Sequence, residues 1–297
     1  MFGFRPDGKR VKNMDPIVRI TPYLMPERDE SQVFLDHEVD YEPLMRYIVA
    51  KSQEGIKITF MEVLIAAYVR AISQLPEVNR FIKNKQVYDR NEISVCFTIL
   101  LDGDTENPNE TAVKVKFDPK DTIFDVSKRV KKVIESNRKQ DENSNASVGV
   151  ASALLAIPLL PNIIVALFRL FDRYGILPKK LVELLPFHTG LFIANMGSIG
   201  MTRVYHHLYN FGTASQFFSV GNVRRGYGVD IKGKVVRHCK LPFGITADER
   251  ICSGAMYAKF FAMIRHGLNN PQDLEKPPES VRYIREDIKF YIPKHEQ

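Results

Sequence analysis

Asp248-Glu249-Arg250-Ile251-Cys252-Ser253-Gly254 is the stretch on which the reading of this chain turns. Before it, residues 241–246 read as a strand. After it, residues 254–268 read as a helix, with Ala255, Ala258, Phe261, Met263 and Ile264 mainly along its buried side. Three consecutive charged residues therefore stand at the end of a strand, where a rigid scaffold presents functional loops.

Strands and helices continue outward from this loop. Residues 191–195 are an apolar strand that enters a turn at Gly197 and Gly200, where glycine permits a tight bend. Residues 216–223 form another strand, and 229–236 a hairpin around Lys232-Gly233. Nearer the N-terminus, Val33, Leu35 and Val39 alternate with polar residues, giving a strand over 32–40. Asp40 is placed to cap a helix running to about Ser52. Thr59-Phe60-Met61-Glu62 reads as a capping box, followed by Leu64, Ile65, Tyr68, Val69, Ile72 and Leu75 at helical spacing and by Pro76 as the stop. Residues 92–101 and 111–117 read as strands around a turn containing Asn107-Pro108-Asn109, and Thr122 opens a further helix. Mixed strands and amphipathic helices in this order predict an α+β fold, an α/β two-layer domain with a mixed sheet covered by helices.

Composition narrows the function classes. The 297 residues are 44% apolar and 26% charged, enough for a sizeable core. The three cysteines, Cys96, Cys239 and Cys252, are too few and odd in number for a disulfide framework, so a reducing, cytoplasmic setting is expected. Met1 to Arg19 carry alternating charges and no apolar run of signal-peptide length. The net charge of +7 favours an acidic partner such as a nucleotide-bearing cofactor or an anionic membrane surface. The basic residues are dispersed, and the densest run, Lys128-Arg129 with Lys131-Lys132, is the solvated face of an amphipathic helix. No nucleic acid is expected as a partner.

Three stretches resemble the catalytic domain of the acyltransferase core of 2-oxoacid dehydrogenase complexes and, more distantly, chloramphenicol acetyltransferase. Ile56-Lys57-Ile58-Thr59-Phe60-Met61 through Leu75-Pro76-Glu77-Val78-Asn79 is similar to that family's first long helix and its ending. Phe192-Ile193-Ala194-Asn195-Met196-Gly197-Ser198-Ile199-Gly200 is similar to its strand and turn FTISNLGxxG. Asp248 to Gly254 is similar to its loop DHRxxDG, and the match continues through the next helix to Asn270-Pro271. The resemblance covers most of residues 32–137 and 188–271. It implies a homotrimer with active sites between subunits, in a channel that coenzyme A enters from one side and the acyl acceptor from the other. It also implies a loop histidine that takes the nucleophile's proton and a hydroxyl that donates to the oxyanion.

The sequence departs from this pattern where the chemistry lies. The family's histidine falls at Glu249, its following aspartate at Ser253 and its oxyanion serine at Ala194. An ordinary glutamate titrates near ~4.3 and a thiol near ~8.5, so the proton transfer is uphill by roughly 5–6 kcal/mol unless burial raises the carboxyl. Glu249 is thus either a retuned base or a loop residue paired with Arg250 or Arg265. Ala194 has no donor, and a missing oxyanion donor costs ~10²–10³ in rate. On an extended strand residues 188, 190 and 192 share the face of Ala194, making His188 a candidate catalytic group. His206 and His207 are candidates for substrate contact, and each of these histidines also has a structural reading. Cys252 occupies an apolar position and reads as buried and inert. Asn195, Gly197, Gly200 and Asn210 match the family and keep the channel walls. The candidate site is therefore Glu249, His188 and Ser253 as catalytic positions, with Ala194, Asn195, His206, His207 and Asn210 for substrate. No metal is expected.

Residues 143–186 have no counterpart in the family's core. From Asn143 to Phe168 there is no charged residue. Residues 149–168 nearly reach bilayer length, but Pro158, Pro161 and Asn162 oppose one straight span. Short amphipathic helices over 163–173 and 177–185 are expected, as a lid, as extra core, or as a patch at 147–185 for a peripheral membrane contact or an apolar partner. The expected organisation is one acyltransferase-like domain over 1–297, an apolar insertion at 143–186 and a tail at 277–297. The acyltransferase-type fold begins within the first forty residues, so no lipoyl group is expected on the chain. Two functions remain open: transfer of an acyl group from a coenzyme A thioester with altered residues, or a non-catalytic trimeric scaffold or binding protein.

Overall fold

A computed structural model describes residues 4–100, 110–140 and 159–284. The capping box forms as the sequence predicts. Thr59 accepts from the Glu62 amide while the Glu62 carboxylate accepts from the Thr59 amide, and the helix α3 (Phe60–Gln74) stops at Pro76. Nearly every apolar side chain of α3 is buried, so it is the central helix of the core rather than a surface helix. It packs against α4 (Ile123–Gln140) and against α7 (Gly254–Asn269), the helix that follows the charged loop. In α7 the buried residues are Tyr257, Phe260, Phe261, Ile264, Gly267 and Leu268, whereas Ala255 and Ala258 are exposed. Its inner face is thus rotated toward the aromatic residues, which bury the larger areas.

Among the described residues the main sheet has seven strands. Six run β10 (Arg224–Val229), β11 (Val235–Asp248), β9 (Gln216–Val220), β8 (Leu191–Asn195), β6 (Ile93–Leu100) and β7 (Glu110–Phe117). The seventh, β3 (Gln32–Asp40), pairs with residues 240–248 of β11, continuing the edge that β10 occupies along residues 235–240. Strands β6, β8 and β9 are parallel to one another and the other pairs antiparallel, so the sheet is mixed. Leu191, Ile193, Phe218 and Val220 point into the helical core, which leaves Phe192, Ala194, Phe217 and Ser219 on the opposite face.

Several expectations are corrected in detail. The expected hairpin at 229–236 is the end of a 14-residue strand, because β11 runs without interruption to Asp248. The strand expected over 216–223 ends at Val220. Asp40 makes no side-chain cap for α2 (Tyr41–Gln53); its carboxylate pairs with Lys240 at 2.5 Å across the β3–β11 register. The turn at 107–109 and residues 143–158 of the insertion lie outside the described residues.

A second, four-stranded sheet was not foreseen. It comprises β1 (Phe4–Arg5), β2 (Gly8–Arg10), β5 (Gln86–Arg90) and β4 (Phe81–Lys83), accompanied by the helix α1 (Pro16–Leu24). Asn84 and Lys85 join β4 to β5, both with positive φ (48° and 59°), as a two-residue hairpin turn demands. The insertion contributes α5 (Leu160–Tyr174) and α6 (Lys179–Leu184). No helix among the described residues is long and apolar enough to cross a membrane. The start of the tail follows α3, with the Arg282 amide donating to the Ser73 carbonyl at 2.9 Å and its guanidinium pairing with Glu77.

Candidate functional site

The charged loop is held by a buried ion pair that does not involve its middle residue. Asp248 is fully buried and accepts from Arg250 Nε at 2.8 Å and Nη2 at 2.7 Å. Arg28 Nε lies 3.6 Å from the same carboxylate, and Ser31 donates to it at 3.3 Å. The Tyr257 hydroxyl donates to the Asp248 carbonyl at 2.8 Å, tying the loop to α7. Arg250 therefore serves Asp248, which corrects the expectation that it pairs with Glu249. Side-chain alternation at the strand end turns Glu249 outward. Its amide donates to the Ser31 carbonyl at 3.0 Å, and its exposed carboxylate has no ion pair among the described residues.

Ser253 is the N-cap of α7, accepting from the Met256 amide. Its hydroxyl oxygen serves the helix end as an acceptor and keeps its proton. Cys252 is buried, and that burial pushes its thiol up to about 12, which leaves it protonated and unreactive.

Ala194 lies beside Ser219 in the parallel β8–β9 register, and Ser219 pairs with Gly244 of β11. Ser219 is the hydroxyl nearest in register that could stand in for the missing donor. Its Oγ accepts from the Val204 amide at 2.9 Å and donates to the Val204 carbonyl, so it clamps residues 202–206 across the sheet. The clamp requires two glycines. A Cβ at Gly221 would stand 2.2 Å from the Arg203 amide nitrogen, and one at Gly244 would stand 2.2 Å from the Val204 carbonyl oxygen.

This strap lays His206 flat on Phe217, with ring centroids 4.2 Å apart. Phe217 stacks in turn on Phe192 at 5.3 Å, and His207 stacks on His206 at 4.5 Å. His206 Nδ1 lies 2.8 Å from the His207 carbonyl. The fold thus gathers Ala194, His206, Phe217 and Ser219 into one aromatic wall. Asn195 sits at its end, where its side chain accepts from the Ser198 amide and caps the turn.

His188 stands elsewhere. Strand β8 begins at Leu191, so His188 does not share the face of Ala194. It is completely buried, with Nε2 2.9 Å from Asp172 Oδ1. Asp172 also pairs with Arg5 at 2.9 Å and with Lys83, and accepts from the Gly212 amide at 3.2 Å. Burial alone would raise this carboxyl, but the hydrogen bond from His188 and the charges of Lys83 and Arg5 hold it well below the usual range. Burial also lowers the Lys83 ammonium to about 8. Asn210 belongs to this neighbourhood as well. It accepts from the Arg28 amide at 2.7 Å, donates to Asp29 at 3.0 Å, and lines a cavity of about 550 Å³ with Arg28, Lys83, Lys85, Arg169, Arg173 and Arg250.

The expected site residues accordingly fall in separate places within one chain. Glu249 is five residues along β11 from Gly244, the residue in line with Ala194. At about 3.3 Å per residue that is roughly 16 Å. The basic cavity was missed by sequence reasoning. The alternating run Phe81-Ile82-Lys83-Asn84-Lys85-Gln86-Val87 was a hairpin signal that would have placed Lys83 and Lys85 at its turn. No group of three or more His, Cys, Asp or Glu among the described residues is placed to hold a metal ion.

By sequence the chain matches no protein-family model and no curated protein. By structure it is similar to a probable dihydrolipoamide acetyltransferase from Listeria monocytogenes, with a TM-score of 0.54 and 14% identity over 93% of this chain and 99% of that one. It is similar to the cubic core of the pyruvate dehydrogenase multienzyme complex, at 0.56 and 13% over 89% and 94%. Chloramphenicol acetyltransferase follows at 0.52 and 12%, over 88% and 99%. The chain therefore has the chloramphenicol acetyltransferase-like fold shared by the acyltransferase cores of 2-oxoacid dehydrogenase complexes.

Proposed function

We propose that this protein binds an acyl thioester of coenzyme A in a channel between copies of a cytoplasmic homotrimer, without the histidine-driven transfer usual for its fold. The observation that carries this reading is the fate of the oxyanion position. Ala194 offers no donor, and the neighbouring Ser219 hydroxyl is consumed by both backbone groups of Val204. Ser253 caps α7, and His188 is sealed against Asp172. The stacked rings beside Ala194 offer an apolar wall suited to an acyl chain. The separation of Glu249 from Ala194 within one chain supports a channel completed by a second copy.

The test pairs calorimetric titration of acetyl-coenzyme A with a thiol-release assay, after sedimentation has established the oligomer. Saturable binding with no thiol release is expected. A second reading keeps transfer, with Glu249 as base, and is favoured by a carboxylate that has no ion pair among the described residues and that a second copy closing the channel would bury and so raise. Thiol release abolished in Glu249→Gln would establish that reading and overturn the first. Neither binding nor release would overturn both.

A further inference from the structure

Helix α5 is fastened to the domain in an unusual way. Its only fully buried residue is Asp172. At 100° per residue, Ile163, Leu167, Leu170 and Tyr174 form a stripe on the side of the helix opposite Asp172, and all four are exposed. The polar residue faces inward and the apolar stripe faces outward, the reverse of a helix that covers a core. Extra core is therefore not what α5 provides.

Helix α1 also turns an apolar stripe outward, opposite its one buried residue, Pro22. Ile17, Ile20 and Leu24 recur at helical spacing and are exposed, Ile17 by 77%. Both helices meet the β4–β5 turn. Arg173 of α5 donates to Asn84 at 3.0 Å, while the Lys85 ammonium lies over the Tyr23 ring of α1 and Gln86 donates to the Tyr23 hydroxyl at 3.0 Å. The basic cavity opens at this same turn. Six cationic side chains line it against one carboxylate, Glu27. The Arg169 guanidinium has no ion pair or hydrogen bond among the described residues.

We propose that α1 and α5 dock the protein onto an anionic phospholipid bilayer, with the cavity between them receiving headgroup phosphates. Two amphipathic helices supply apolar side chains that reach the acyl boundary, and the cations complement the negative leaflet. Charge complementarity favours this occupant over an apolar protein partner: Arg28, Arg250 and Lys83 already answer to Asp248 and Asp172, but Lys85, Arg169 and Arg173 have no carboxylate partner among the described residues and would be left uncompensated. The proposal is independent of whether the channel binds or transfers acyl groups.

The test is flotation of the full chain with vesicles of phosphatidylcholine alone and with added phosphatidylglycerol. Co-flotation is expected with the anionic vesicles and to fall at high salt. Arg169→Glu should weaken it about 25-fold, since each basic residue near an anionic surface contributes roughly a fivefold preference and charge reversal counts it twice. Leu167→Asp with Leu170→Asp should abolish it, while Ile231→Asp, at a fully exposed apolar position far along the β10–β11 hairpin, should leave it unchanged. Circular dichroism verifies that each variant is folded. Equal flotation with neutral vesicles, no flotation with either, or retention by the folded α5 variants would overturn the proposal. Complete release by free glycerol phosphate or coenzyme A would assign the cavity to a soluble phosphate instead. A change of oligomeric state in Leu167→Asp, with flotation intact, would assign the stripe to a second copy.

Discussion

Replacing Asp172 by Asn tests what holds α5 to the domain. The carboxylate is fully buried and answers to three basic groups: Arg5, Lys83 and His188. Asparagine keeps the shape but removes the charge, and it turns an NH₂ group toward side chains and an amide that already donate. Breaking a buried ion pair from one side costs about 3–5 kcal/mol. Here the lower end applies. Arg5 retains Asp7 at 3.0 Å, and Lys83 retains the carbonyls of Gly212 at 3.1 Å and Asn210 at 3.4 Å. A loss of about 3 kcal/mol near neutral pH is expected in urea unfolding, with earlier proteolytic cleavage in α5. The pH dependence has a definite sign. The folded carboxyl lies below its unfolded value of about 3.9, so its contribution is present above that value and fades as pH falls below it. The gap between wild type and Asp172→Asn should therefore close on acidification. In a Lys83→Met background, the Asn substitution should cost about 1–2 kcal/mol less, because fewer buried cations are orphaned. A loss under about 1 kcal/mol, or an equal loss in both backgrounds, would refute the reasoning.

Lys83 itself makes stability rise with pH from about 8 toward the ordinary lysine value. Across that window the unfolded chain still holds a proton that the folded chain has released. Lys83→Met should flatten this rise in urea midpoints measured across that range. Gly244→Ala drives a methyl into the Val204 carbonyl, and should cost about 1–3 kcal/mol while loosening the strap, visible as faster amide exchange at Val204. Unchanged exchange there would mean that the strap is not seated on the sheet.

Much of the fold was legible because local signals and tertiary packing agree. Thr59 and Glu62 announce α3, and alternation alone defines β3 to both its ends, Gln32 and Asp40. The second sheet went unread because its strands are two to five residues long and lean on charged residues that look like surface but are buried: Arg5 against Asp7, Asp89 against Arg80, and Arg90 against Thr213. The same blindness affected the site. The candidate positions Ala194, Glu249 and Ser253 come from the motif, but nothing local says that Ser219 is taken by Val204 or that His188 is sealed against Asp172. Those facts arise from residues 15 and 16 apart that only the folded chain brings together. The insertion was visible as a break in charge pattern. That the one fully buried residue of α5 is an aspartate could not be guessed from a run of leucines and isoleucines.

The strap over Gly221 and Gly244 means that one boundary of the aromatic wall is built from main chain on main chain. Side-chain drift cannot reshape such a boundary, since any added carbon collides with the peptide opposite. The shape of the wall is therefore left to the rings of Phe192, Phe217 and His206. If the wall receives the acyl group proposed above, those three positions are where a library aimed at new ligands should begin.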